Sequence, residues 1–223
     1  MDLSSLSPGI ILVTVVGLAL APFVAVMVTS FTKIVVVLSL LRNALGLQQT
    51  PPNVVINGLA LILSMYVMYP VGLQMSDAIK STPPEAQQSS KAMDVQGLMG
   101  VADKGKEPLR GFLIRHTSDS ERAFFLRTAQ RLLPPEKRTS LTDQDLIVIV
   151  PAFTVSELSE AFQIGFLIYL PFLIIDLVVS NILLAMGMMM LSPTTVSLPF
   201  KLLLFVLLDG WSKLVHGLVL TYR

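Results

Sequence analysis

Long apolar runs, separated by one polar region, are the main pattern of the sequence. No charged residue occurs in residues 3–32 or 43–76, and each run is longer than the ~20 residues that a helix needs to cross a bilayer. Two further apolar segments follow, 161–191 with one interruption at Asp176, and 197–220. The pattern predicts an all-α, membrane-inserted protein made of helical hairpins, with about four hydrophobic segments.

Breaks in this pattern divide the chain into three predicted regions. Residues 1–76 form an N-terminal hydrophobic helical hairpin, in which Pro22 kinks the first arm. Residues 77–145 form a polar helical region, and residues 146–223 form a C-terminal hydrophobic hairpin with a methionine-rich turn. Residues 1–9 contain no Lys or Arg, and Pro22 directly follows residues 19–21, whose small-x-small pattern resembles a cleavage site. We therefore expect the first apolar stretch to be retained and not cleaved as a signal peptide.

Turn and capping residues predict the helix limits in and after the polar region. Helices are expected around 85–102, 107–116 and 118–133, with a break at 104–108 that contains Pro108. Ser118 and Glu121 have the spacing of a capping box for the last of these helices. Pro151 is expected to break or kink the helix that enters at residue 146, and Thr154 and Glu157 then have the spacing of a second capping box.

Composition narrows the class of protein. Hydrophobic residues make up 53% of the chain and charged residues 14%, and the mean hydropathy is +0.71. A net charge of +1, with both signs mixed in the polar region, gives no electrostatic footprint for nucleic acid. There is no cysteine, so disulfides and thiolate metal sites are excluded. No nucleophile–base constellation, phosphate-binding glycine loop or metal-ligand spacing is visible, so neither an enzyme nor a cofactor is predicted.

Charged residues inside the apolar segments are the first candidate functional set. An isolated charge in such a segment costs at least ~2.5 kcal/mol, so we expect these residues to be paired within or between subunits. Asp209 and Lys213 have the favourable i,i+4 order, acid first. An alternative is that Glu157, Glu160 and Asp176 are relay groups of an ion-coupled small-solute transporter or proton channel. The set comprises Lys33, Glu157, Glu160, Asp176, Lys201, Asp209 and Lys213.

The methionine-rich turn at 185–193 is the second candidate. Methionine is unbranched and polarizable, so a cluster of it makes a soft apolar surface that re-packs around whatever presses on it. This behaviour suits a seal better than a catalytic site. The alternative is that these residues only fill gaps or face lipid. The candidate gate residues are Met186, Met188, Met189 and Met190.

Two long motifs resemble the signatures of the FliP/SctR family. The first contains Pro151, Ala152, Phe153, Ser156, Glu157, Leu158 and Phe162, and the second contains Pro199, Lys201, Asp209, Gly210 and Trp211. Residues 31–33 and 48–53 also resemble the first hairpin of that family, so the likeness covers essentially the whole chain. The family is a core part of the export gate of bacterial type III secretion systems, and the uncleaved N-terminus favours its injectisome SctR branch.

The resemblance implies a function and partners. Family members form a pentamer that assembles with FliQ/SctS-like and FliR/SctT-like membrane subunits, beside other export-apparatus and needle or rod components. The complex conducts unfolded secreted proteins across the inner membrane, and its methionine-rich loops line the constriction. The family places the assembly partly in the periplasm, together with residues 77–145. The excess of basic residues in this region predicts the cytoplasm instead, but that rule weakens for loops near ~60 residues.

Overall fold

The computed structural model of the chain describes residues 8–80, 95–134, 138 and 140–223. Over these residues the secondary structure is helical, without strands, which confirms the all-α prediction. Eight helices are seen there: α1 (Pro8–Val28), α2 (Phe31–Ala44), α3 (Asn53–Lys80), α4 (Val95–Arg115), α5 (Asp119–Leu132), α6 (Leu146–Ala185), α7 (Pro193–Leu207) and α8 (Gly210–Leu220).

Two helices, α3 and α6, are long and apolar enough to cross a membrane. Two broken pairs, α1 with α2 and α7 with α8, satisfy the same length and composition requirements when each pair is taken as one span. The described residues therefore contain two to four candidate spans, which agrees with the hydrophobic segments predicted from the sequence. The chain is a membrane protein with an all-α fold.

The chain divides into two compact units. Unit 1 comprises Met1–Thr29 and Met68–Ser156, and unit 2 comprises Ser30–Val67 and Glu157–Arg223. In unit 1, Phe112 and Leu113 of α4 are buried, and the ring of Phe112 lies 5.9 Å from that of Phe153, between centroids. The division into regions 1–76, 77–145 and 146–223 stays a prediction.

The helix break predicted at Pro108 is wrong, and of the break or kink predicted at Pro151 the break is wrong, because burial outweighs the loss of one backbone donor at a proline. Helix α4 continues through Pro108. On one side of this proline Gly105 lies beside α3, and on the other Leu113 is fully buried. Helix α6 continues through Pro151, and the apolar residues on both sides of this proline are fully buried: Val148, Ile149, Ala152 and Phe153. The predicted helix at 85–102 begins outside the described residues, which resume at 95.

Both predicted capping boxes are also wrong. Ser118 is the N-cap residue of α5, but its side chain makes no capping hydrogen bond and lies 2.6 Å from the Ser120 hydroxyl instead. Thr154 lies inside α6, where its hydroxyl donates to the Val150 carbonyl at 2.9 Å, as is usual for threonine in a helix interior. Glu157 is thereby left free to make a tertiary contact.

Unit 2 is built around α2. The buried residues of α2 recur at helical spacing along one face: Lys33, Ile34, Val37, Leu38, Leu41 and Ala44. They pack with Ile56 and Ala60 of α3, Ala161 and Phe172 of α6, and residues of α7 and α8. Helix α6 comes especially close at Gly165, where an added Cβ would lie 2.2 Å from Leu40 Cδ1. A glycine is therefore required for this packing.

The α2–α3 turn is fixed by its own hydrogen bonds. Gly46 has a φ of 79°, and its N–H donates to the Asn43 carbonyl at 3.0 Å, while Leu47 donates to Arg42 at 3.2 Å. These two bonds define a Schellman motif, which needs a left-handed residue at the position of Gly46. The guanidinium of Arg42 donates to Asn53 Oδ1 at 2.6 Å and so connects the end of α2 to the start of α3.

Candidate functional site

The first cluster lies around Lys33 in unit 2. Helix α2 places Lys33 on its buried face, where the ammonium lies 2.7 Å from Glu157 Oε1 and 2.7 Å from Glu160 Oε2. Glu157 and Glu160 are three residues apart on α6 and therefore share one face of that helix. The side chains of Lys33 and Glu157 are 1% and 0% exposed, whereas that of Glu160 is 50% exposed. One buried cation is thus held between two carboxylates.

Tyr222, which follows α8, completes this cluster. Its hydroxyl donates to Glu157 Oε2, and the Lys33 ammonium lies 4.4 Å from the centroid of its ring. Burial, together with the neighbouring Glu157 charge, raises the pKa of the Tyr222 hydroxyl, so the phenol keeps the proton that it donates. Sequence reasoning missed Tyr222, because a single aromatic residue near the end of an apolar helix has no distinguishing pattern.

A second cluster lies around Lys201 of α7, also in unit 2. Its ammonium lies 2.6 Å from Asp176 Oδ2 and donates to the Ala44 carbonyl at 3.2 Å. That carbonyl belongs to the last turn of α2, where cations are favoured because helix-end carbonyls lack partners. The other carboxylate oxygen of Asp176 accepts the Ser197 hydroxyl at 2.5 Å. Lys201 and Asp176 are 4% and 22% exposed, so the pair is largely shielded.

Asp209 and Lys213 are arranged differently. The ion pairs found in the described part of the chain include neither residue, and Asp209 instead accepts the Ser212 hydroxyl at 3.0 Å. Asp209 has a φ of 51° and directly precedes α8. The chain bends by 62° between α7 and α8 at this point. Its place is therefore that of a turn residue, and pairing of Asp209 and Lys213 between subunits stays a prediction.

The remaining motif residues lie in different environments. In unit 1, Ala152 and Phe153 are fully buried, and the Ser156 hydroxyl accepts the backbone N–H of Ser118 at 3.0 Å. In unit 2, Leu158 and Phe162 are exposed side chains of α6. Pro199 lies inside α7.

Gly210 and Trp211 both adjoin the ring of Phe205. A Cβ on Gly210 would lie 2.2 Å from Phe205 Cε2, so the ring occupies the space that any larger residue would need. The Trp211 ring meets Phe205 edge to face at 5.5 Å between centroids. This contact packs the start of α8 against the end of α7.

The methionine turn is a defined structure. Helix α6 ends at Ala185, and Gly187, with a φ of 73°, donates to the Leu184 carbonyl at 3.1 Å while Met188 donates to Leu183 at 2.9 Å. This is a second Schellman motif, and it directs the chain out of the helix. Helix α7 then begins at Pro193 with Ser192 as its N-cap residue.

The methionines of this turn are exposed. Met186 is 61% exposed, Met188 42%, Met189 80% and Met190 100%. Four flexible apolar side chains thus project from one short turn, which is unusual for a surface in water but suited to contact with lipid or another protein chain.

Comparison with known proteins identifies relatives over nearly the whole chain. The sequence model of the FliP family matches residues 12–218. The chain is 54% identical over 215 residues to "Pathogenicity-related ORF2" of Xanthomonas campestris pv. glycines, covering 96% of this chain and 97% of that relative. It is 52% identical over 219 residues to "Hypersensitivity response secretion protein HrcR" of Ralstonia nicotianae, covering 96% of each. It is 53% identical over 205 residues to "Yop proteins translocation protein R" of Yersinia pestis, covering 92% of each.

Proposed function

Because this chain belongs to the FliP family, we propose that it is a pore-forming core subunit of a type III secretion export gate. Its relatives are SctR-type proteins of the type III secretion export apparatus, which are structural components and not enzymes. In the proposed role the subunit conducts unfolded secreted proteins across the bacterial inner membrane. The names of two relatives, a secretion protein and a translocation protein, support this direction.

The methionine turn is the observation that carries the proposal. Met188, Met189 and Met190 project from a turn whose backbone conformation is set by Gly187. Their flexible thioether side chains therefore extend from a defined backbone. Side chains of this kind close over one another at rest and exclude water and ions by dewetting. They also move apart around an unfolded chain of any sequence at little rotamer cost.

Assembly with other subunits is part of the proposal. We expect a pentamer of this chain, joined by FliQ/SctS-like and FliR/SctT-like subunits and extending from the inner membrane into the periplasm. Large exposed apolar side chains on α3 and α6, among them Tyr66, Phe162 and Phe166, offer surface to such partners or to lipid. Mass measurement of the detergent-purified complex tests the stoichiometry, and a mass that fits a lone subunit would contradict it.

The alternative of an ion-coupled transporter has less support. A relay needs carboxylates that gain and lose protons during transport, yet Glu157 is held by Lys33 and Asp176 by Lys201. A buried carboxylate that is held by its own lysine suits a structural role better, because releasing that lysine would leave a buried charge without a partner. A secondary transporter would also function without the partner subunits expected here.

Crosslinking to a stalled substrate tests the conducting role. The chain contains no cysteine, so Met189→Cys introduces a single thiol at the turn. We expect this thiol to crosslink to a secreted protein that is arrested during export. The control is Met65→Cys. Met65 is 66% exposed, but it lies on a face of helix α3 and not in the turn. Crosslinking at Met65 and none at Met189 would contradict the proposed path.

A further inference from the structure

The two oxygens of the Glu157 carboxylate have separate partners. Oε1 faces the Lys33 ammonium at 2.7 Å, and Oε2 accepts the hydroxyl of Tyr222. The side chain is fully buried, so an oxygen without a partner would retain the whole penalty of leaving water. Because Glu157 is fully buried, solvent water cannot replace the hydrogen bond that Tyr222 donates to its Oε2.

Tyr222 also touches the cation of the pair. The Lys33 ammonium lies 4.4 Å from the centroid of the tyrosine ring, within the range of a cation–π interaction. Lys33 is thus enclosed by Glu157, Glu160 and an aromatic face. Glu160 is half exposed, whereas Glu157 is fully buried and Tyr222 is partly buried.

The charges in the cluster do not balance by themselves. One ammonium faces two carboxylates, which compete for it, and only Glu157 receives an additional hydrogen bond from Tyr222. A charge-assisted hydrogen bond is roughly twice as strong as a neutral one, so this bond favours the buried carboxylate as the fixed partner of Lys33. Glu160 then remains the adjustable partner at the edge of the cluster.

We propose that Tyr222 is the positioning residue of this ion pair. Its hydroxyl holds the Glu157 carboxylate against Lys33, and its ring covers the ammonium. The segment after α8 thereby fastens α2 to the part of α6 that lies in unit 2. Lys33 and Glu157 are fully enclosed only when Tyr222 is in place.

Thermal unfolding of the detergent-purified complex, made with the full chain, tests this role. Tyr222→Phe removes the hydroxyl and keeps the ring, and Tyr222→Leu removes both. Tyr169→Phe is the matched control, because Tyr169 is a 39% exposed tyrosine of α6 in the same unit. We expect Tyr222→Phe to lower the unfolding midpoint by about 3 °C, Tyr222→Leu to lower it further, and the control to leave it unchanged.

A double variant without the ion pair shows whether Tyr222 acts by positioning Glu157 or only by packing. In Lys33→Met/Glu157→Leu the ion pair is replaced by apolar side chains, and the Tyr222 hydroxyl loses its acceptor. In this background we expect Tyr222→Phe to leave the midpoint unchanged or to raise it. If Tyr222→Phe prevents accumulation of the complex, the apolar background should restore it. Equal effects of Tyr222→Phe and Tyr169→Phe, an equal loss in both backgrounds, or failure of the restoration would overturn the proposal.

Discussion

The ammonium of Lys33 lies 2.7 Å from Oε1 of Glu157, and the two side chains are almost completely removed from solvent. Helix α2 contributes the lysine and α6 the glutamate, so the contact joins segments that are far apart in the sequence. A charge that would be costly alone in an apolar segment is compensated within one chain. The pair therefore acts as a specific link inside unit 2.

Removing the lysine should be more damaging than removing the half-exposed carboxylate. We expect Lys33→Met to lower the free energy of unfolding by about 3–5 kcal/mol, because it leaves Glu157 charged and buried without a cation. The control Glu160→Gln should cost less than about 1 kcal/mol, since Glu160 is 50% exposed. Thermal unfolding of the assembled complex measures both. Similar losses for the two variants would show that burial of Glu157 does not govern the stability of the cluster.

Substitutions in the Lys201 cluster should reduce assembly of the complex before they reduce export. Lys201→Met removes hydrogen bonds to Asp176 and to the Ala44 carbonyl, and we expect a loss of about 1.5–3 kcal/mol. Asp209→Asn is a suitable control, because asparagine tolerates the left-handed conformation of Asp209. The amount of assembled complex and the rate of secretion are measured together. Intact complexes of Lys201→Met that fail only in secretion would favour a relay role.

Gly165 should not tolerate a methyl group. In Gly165→Ala the new Cβ would lie 2.2 Å from Leu40 Cδ1 and 3.1 Å from Leu40 Cβ, so the side chain cannot simply rotate away. We expect a loss of about 1–3 kcal/mol from overpacking. Gly58→Ala is the matched control, since nothing lies within 4 Å of the position that its new methyl group would take in α3. This control should stabilise the helix by about 0.5–1 kcal/mol.

Rescue of Gly165→Ala gives a further check on this contact. Leu40→Ala removes the side-chain atoms that the new methyl group would meet, so the double variant should be less unstable than the sum of the two single changes. Strict additivity in thermal unfolding would indicate that the two helices do not approach at this point.

The hydrophobic pattern was sufficient to predict the helical class and the apolar segments, and the motif resemblance is confirmed by the family match over residues 12–218. The requirement that charged residues in these segments find partners also follows from the sequence, because isolated charge is costly in an apolar setting. The identity of each partner does not. Lys33 meets Glu157 and Glu160, and Lys201 meets Asp176, only through tertiary packing of α2, α6 and α7.

The local rules failed where burial opposed them. Pro108 predicted a helix break and Pro151 a break or a kink, yet both prolines lie within continuous helices beside fully buried residues, among them Leu113 and Phe153. The loss of one backbone hydrogen bond is a local effect, whereas burial is decided by the whole unit. The role of Tyr222 could not be predicted for the same reason, because it depends on contacts with Lys33 and Glu157, which are distant in the sequence.

We propose that the methionine turn seals the resting pore. Replacing Met188, Met189 and Met190 together with alanine removes the flexible thioethers and leaves Gly187, which sets the turn, in place. The single change Met190→Ala is compared with Met65→Ala, since both methionines are exposed but only Met190 lies in the turn. Assembly of each variant is checked by isolating the complex.

Ion conductance and dye entry in cells that express the assembled gate test this claim most directly. We expect the triple variant to make the resting membrane leaky to ions and small molecules, Met190→Ala to have a smaller effect in the same direction, and Met65→Ala to leave the membrane tight. A membrane that stays tight with a fully assembled triple variant would contradict the seal and leave these methionines a packing role at the end of α6.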